Sequence, residues 1–95
     1  PRRVFCGRAV VKIELFGIAR ARAGREELRV RAKSLAEALR ALEDACPALA
    51  PEVISGGKLA EAYVASLNGE RFLSHPDAPL RDGDALLILG AQSGG

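Results

Sequence analysis

Few residues of this chain could do chemistry, and they are scattered. They are two cysteines, Cys6 and Cys46, one histidine, His75, two spaced carboxylates, Asp82 and Asp84, and the closing pair Gly94-Gly95. Two Cys without a CxxC and a single His are too few for a zinc site. Cys46 reads as a small apolar residue closing a helix, and Cys6 as a free thiol near the N-terminus. His75 sits in a Pro-flanked loop with no Ser or Cys nucleophile near it in sequence, which is the setting of a solvated loop His. Asp82 and Asp84 flank Gly83 in a turn, where Asp is favoured for its backbone hydrogen bonds. No general acid or base is assigned among them, and no metal site. The Gly95 carboxylate is a further candidate. It is inert to nucleophiles at neutral pH unless activated, because its charge is delocalised and its oxygen leaves poorly. Two glycines before it remove every side chain from its approach and open positive-φ conformations.

The rest of the chain must present that end. Its 95 residues make one domain, 48% hydrophobic and 27% charged, which suits a globular protein. No apolar run approaches the roughly 18 residues of a membrane span, and the basic start lacks the apolar stretch of a signal peptide. The net charge of +2 hides a division. Residues 1–33 carry ten Arg/Lys against three Glu, and residues 34–95 carry four against nine Asp/Glu. A basic first third raises nucleic acid as a partner. Aromatics are only 4% of residues, however, and the Arg residues alternate as on an exposed strand face, so no nucleic acid is expected. The acidic remainder suits docking to a basic partner. The absence of a disulfide framework fits a reducing cytoplasm.

Val11-Lys12-Ile13-Glu14-Leu15 alternates as a half-buried strand. Residues 18–24, rich in Ala and Arg, read as a turn region. Residues 28–33 alternate again, and the two strands pair most simply as an antiparallel hairpin with a long connection. Ser34-Leu35-Ala36-Glu37 has capping-box spacing, with Glu37 placed to reach the Ser34 amide. Leu35, Ala38, Leu39, Leu42 and Cys46 then share one helical face, and Pro47 stops the helix. Residues 49–54 suggest a short helical turn, and Ser55-Gly56-Gly57 a mobile loop. Residues 63–67 and 70–73 form a hairpin around Asn68-Gly69, the dipeptide suited to a type I′ turn. Residues 85–89 are the last strand. One amphipathic helix must lie across a mixed sheet. The pattern is α+β, a β-grasp roll: an N-terminal extension over 1–9, the domain over 10–89, and a flexible tail over 90–95.

Four motifs carry a resemblance over about residues 10 to 95. They are Leu15-Phe16-Gly17-Ile18-Ala19-Arg20-Ala21-Arg22-Ala23-Gly24, Leu67-Asn68-Gly69-Glu70, Leu80-Arg81-Asp82-Gly83-Asp84, and Gly94-Gly95. In this order, with a β-grasp pattern between them, the chain resembles the sulfur-carrier branch of the ubiquitin-like proteins, above all the small subunit of molybdopterin synthase. The resemblance implies that an E1-like adenylating enzyme uses ATP to make an acyl-adenylate on Gly95. A sulfur donor protein then displaces AMP to leave a thiocarboxylate. The chain itself binds no cofactor, and it acts as a carrier or small subunit rather than an enzyme alone. The thiocarboxylate would serve a pterin precursor on the large (MoaE-like) molybdopterin synthase subunit, for a molybdenum or tungsten cofactor. Thiamine, thiolated tRNA and cysteine are alternative products. Conjugation of Gly95 to a lysine, and a plain interaction module, are readings from other classes. The approach Gly90-Ala91-Gln92-Ser93 lacks the proline common in molybdopterin synthase small subunits. Thiamine-pathway carriers are shorter and lack the Ala/Arg-rich segment.

The site residues implied are Gly95 as the reactive end and Gly94, Ser93 and Gln92 as contacts inside partner channels. Leu87 and Leu89 extend the set. Residues 85–89 are apolar on both faces, so if Leu86 and Ile88 pack under the helix, Leu87 and Leu89 face away. They are then either covered by residues 55–60 or form a partner patch.

Overall fold

The computed structural model describes residues 10–50 and 52–90. The expected N-terminal extension with Cys6, and the tail residues Gln92, Ser93, Gly94 and Gly95, lie outside the described residues.

Alternation in the first strand becomes β1 (Val10–Leu15), with Val11, Ile13 and Leu15 buried. It pairs antiparallel with β2 (Glu27–Arg31), Ile13 opposite Leu28 and Val11 opposite Val30. The connection between them is a correction. Residues 17–23 form a short helix, α1 (Gly17–Ala23), where a turn was expected. Three alanines favour it, and Gly24 ends it in the left-handed region with its N–H on the Arg20 carbonyl. Ala19 turns into the core.

The main helix, α2 (Leu35–Ala45), starts where the capping residues place it, and the Ser34 hydroxyl accepts the Glu37 amide at 3.3 Å. Glu37 reaches back to the amide of Lys33, one residue before the cap. Leu35, Ala38, Leu39, Leu42 and Cys46 are buried as one stripe. Each fully buried Leu contributes about 2 kcal/mol relative to exposure. Pro47 opens a single 3₁₀ turn, Pro47–Leu49, that buries Leu49. The expected mobile loop is instead a small hairpin, β3 (Ile54–Ser55) with β4 (Lys58–Leu59). Gly57 ties it to α2 by donating to Glu43, and a Cβ there would stand 2.9 Å from the Arg40 side chain.

β5 (Tyr63–Leu67) and β6 (Arg71–Leu73) form the second hairpin. Asn68 and Gly69 both take positive φ, as a type I′ turn requires, and the Glu70 amide closes the turn on Leu67. Pairing resumes at Arg71 rather than Glu70. β7 (Ala85–Gly90) runs one residue further than expected. It lies at the centre of a five-stranded sheet ordered β2-β1-β7-β5-β6, parallel to β1 and antiparallel to β5. The core sits between this sheet and α2, with α1, the 3₁₀ turn and β3–β4 closing the same side. No described helix is long and apolar enough to cross a membrane.

Candidate functional site at the end of the central strand

The start of β7 is fixed by two loops that meet. The Asn68 side chain accepts the Ala85 amide at 2.8 Å and donates to Asp84, while its backbone N–H donates to the Ala85 carbonyl. The second Asp84 oxygen accepts the Arg81 amide at 2.8 Å, and Asp82 accepts the amide of Val10. Asp82 and Asp84 are therefore fasteners that join the turn before β7 to β1 and to the β5–β6 hairpin. His75 is an exposed loop residue, and no described group of His, Cys, Asp and Glu could hold a metal ion.

From that anchor β7 runs between two strands. Lys12 to Leu15 flank it on one side and Tyr63 to Leu67 on the other. Backbone hydrogen bonds along both edges leave it little freedom. It ends at Gly90, opposite Tyr63. Gly90 lies in an apolar groove of about 310 Å³ lined by Phe16, Gly17, Ile18, Ala62, Tyr63 and Leu89. Phe16 caps α1 and is 38% exposed, and Ile18 in its first turn is 61% exposed. Large apolar side chains this open, grouped around one strand end, make the groove a candidate contact surface.

The sheet positions the remaining candidates as alternation dictates. Leu86 and Ile88 are fully buried under α2, and Leu87 and Leu89 are half-buried on the opposite face. Leu87 pairs with Ser66, and Ser66 with Phe72, so these three form a row across the sheet. Phe72 is 67% exposed. The expected cover, residues 55–60, does not lie over this face, because the β3–β4 hairpin packs on α2, beneath the sheet, and the Ala60 amide donates back to Val53. The structure thus brings Leu89 to the groove and Leu87 to the row beside it. Gly95, Gly94, Ser93 and Gln92 lie outside the described residues, in the segment that follows Gly90. Sequence reasoning did not single out Phe16, Ile18, Tyr63 or Ala62 as site residues. The available signal was the pair of large apolar residues flanking Gly17, where strand alternation breaks.

A mixed five-stranded sheet rolled over one principal helix, with a central last strand delivering the chain end, defines a ubiquitin-like β-grasp protein. The sequence matches the ThiS family over residues 13–95, and the chain belongs to this family of ubiquitin-like sulfur carriers. Among solved structures, small archaeal modifier protein 1 (SAMP1) of Methanosarcina acetivorans is 29% identical with a TM-score of 0.79. The match covers 95% of this chain and 100% of that one. SAMP1 of Haloferax volcanii is 28% identical at a TM-score of 0.77, covering 92% and 100%. A chain in the complex of subunits 1 and 2 of the Helicobacter pylori molybdopterin-converting factor shares the fold, at 23% identity and a TM-score of 0.62, covering 90% and 99%. No curated protein matches the sequence.

Proposed function

We propose that this protein carries sulfur on its Gly95 carboxylate. The observation that carries the proposal is the geometry of β7: a strand held on both sides ends at Gly90, beside an apolar groove, five residues before Gly95. An adenylating enzyme docks on Phe16, Ile18 and Leu89 and receives the segment after Gly90. It joins the carboxylate to the AMP of ATP and releases pyrophosphate. A sulfur donor then displaces AMP, leaving a C–S bond in place of C–O. The acceptor is a pterin precursor held by a larger catalytic subunit, in molybdenum or tungsten cofactor synthesis. The order of the four motifs supports this acceptor, as does a fold shared with a two-subunit molybdopterin-converting factor. The chain works in the cytoplasm, and Gly94, Ser93 and Gln92 line up within the partner's channel.

A second reading has its own support. Two matched structures, at 28% and 29% identity, are named small archaeal modifier proteins. In that reading the activated Gly95 acylates a lysine ε-amine, and AMP leaves. Removing Gly95 tests the part common to both. The shortened chain is expected to melt with the intact one and to lose all transfer to acceptor or lysine. Transfer retained without Gly95 overturns the proposal. Lysine-linked adducts of the intact chain, without sulfur transfer, select the second reading.

A further inference from the structure

We infer that the free edge of β2 is a second docking site, one that takes an extended protein segment with acidic and apolar residues in alternation. The inference stands whether or not Gly95 carries sulfur. β2 is an outer strand of the sheet. Its hydrogen-bonding phase is set by the Leu15 amide, which donates to Glu26 at 2.8 Å, and by the register that continues from it. In that phase Leu28 and Val30 turn their backbone groups toward β1, so Glu27, Arg29 and Arg31 turn theirs outward. The Glu27 carbonyl accepts the Arg25 side chain. Among the described residues, the outward amides of Glu27, Arg29 and Arg31 and the carbonyls of Arg29 and Arg31 meet no partner.

Side chains choose the occupant. Glu27, Arg29 and Arg31 are exposed on the outer face. Neither Arg29 nor Arg31 pairs with a carboxylate among the described residues, whereas Glu26 is paired with Arg20. Asp82 and Asp84 border the recess that Arg29 shares with Lys12, where both Asp84 oxygens and one Asp82 oxygen accept from backbone amides or Asn68, and neither carboxylate pairs with Arg29. On the inner side, Leu28 is buried and Val30 half-buried, next to α2. A strand added here presents alternate residues to the two arginines and the others to Val30. Acidic residues on the first set and apolar ones on the second complement both faces.

Other occupants fit less well. A second copy pairing through β2 would set Arg29 opposite Arg29 in the register centred on Arg29, or Arg29 opposite Arg31 in the register centred on Val30, and like charges directly opposite are destabilising. A nucleic acid offers phosphates, which accept hydrogen bonds but leave the outward carbonyls unpaired. It also stacks on aromatics, and the exposed aromatics among the described residues are not on β2: Phe72 lies on β6, the far edge of the sheet, and Phe16 caps α1.

The test is a titration of the ¹⁵N-labelled full chain with a short capped peptide alternating Glu and Val. The same peptide with Lys for Glu, and a thymidine oligonucleotide, run beside it. The expected result is shift changes and slowed exchange at the amides of Glu27, Arg29 and Arg31, caused by the Glu peptide alone. The double variant Arg29→Glu/Arg31→Glu should weaken binding roughly tenfold or more. Arg29→Pro removes one outward donor without touching the β1 ladder and should weaken it too. If that variant does not fold, the charge reversal and the exchange rates decide. Equal binding of the Lys peptide, preference for the oligonucleotide, or shifts centred away from β2 would overturn the inference. So would affinity unchanged by charge reversal, or self-association through β2 at high concentration.

Discussion

Asn68 sits at φ 56 in a turn and still spends its side chain and its amide on the first residues of β7. The residue is bistable in what it could be replaced by: glycine keeps the backbone, and nothing of similar size keeps both bonds and backbone. Asn68→Ala is expected to lower stability by about 2–3 kcal/mol, from lost hydrogen bonds plus left-handed strain. Asn68→Gly should recover about 1 kcal/mol of that. Denaturant melts of both variants check the split. At the other end of the strand the proposed role is contact, not support. Ile18 is 61% exposed and lines the groove at Gly90. Ile18→Asp should therefore change stability by less than about 0.5 kcal/mol, while the activating enzyme's KM for the chain rises roughly tenfold or more. A KM that does not move would detach the groove from docking.

At the scale of elements, α1 is the clearest case of structure resting on one conformational choice. Gly24 closes it at φ 72 with open space around the missing Cβ. Gly24→Ala should cost about 1 kcal/mol through backbone strain alone, and the loss should appear as faster amide exchange in residues 17–23. That helix was hidden in the sequence because seven residues are less than two full turns, too few for a period to emerge. The main helix was legible, because Ser34 and Glu37 mark its start and five apolar residues keep its period. The Asn68-Gly69 hairpin was legible for a similar reason, since few dipeptides tolerate two positive φ angles. The β3–β4 hairpin was not, because its two-residue strands are held by α2 through Gly57, Glu43 and Arg40, contacts distant in sequence. The groove escaped notice for the same cause. Phe16 and Ile18 meet Ala62, Tyr63 and Leu89 only once β7 lies between β1 and β5.

For the molecule as a whole, the division of labour follows the sheet. One side is covered by α2 and its satellites and supplies stability. The other carries half-buried Leu87 and Leu89 and exposed Phe72, and Arg29 and Arg31 stand exposed on the β2 edge. In the proposed function the reactive group is the Gly95 carboxylate, at the chain end rather than in a pocket. A single mass measurement reaches that claim directly. The full chain is incubated with its adenylating enzyme, ATP and a sulfide source, and its C-terminal peptide is weighed. The account predicts a gain of about 16 Da on that peptide, oxygen replaced by sulfur, dependent on ATP. A C-terminal peptide of unchanged mass, under conditions where the same enzyme adenylates and thiolates another carrier, would contradict it.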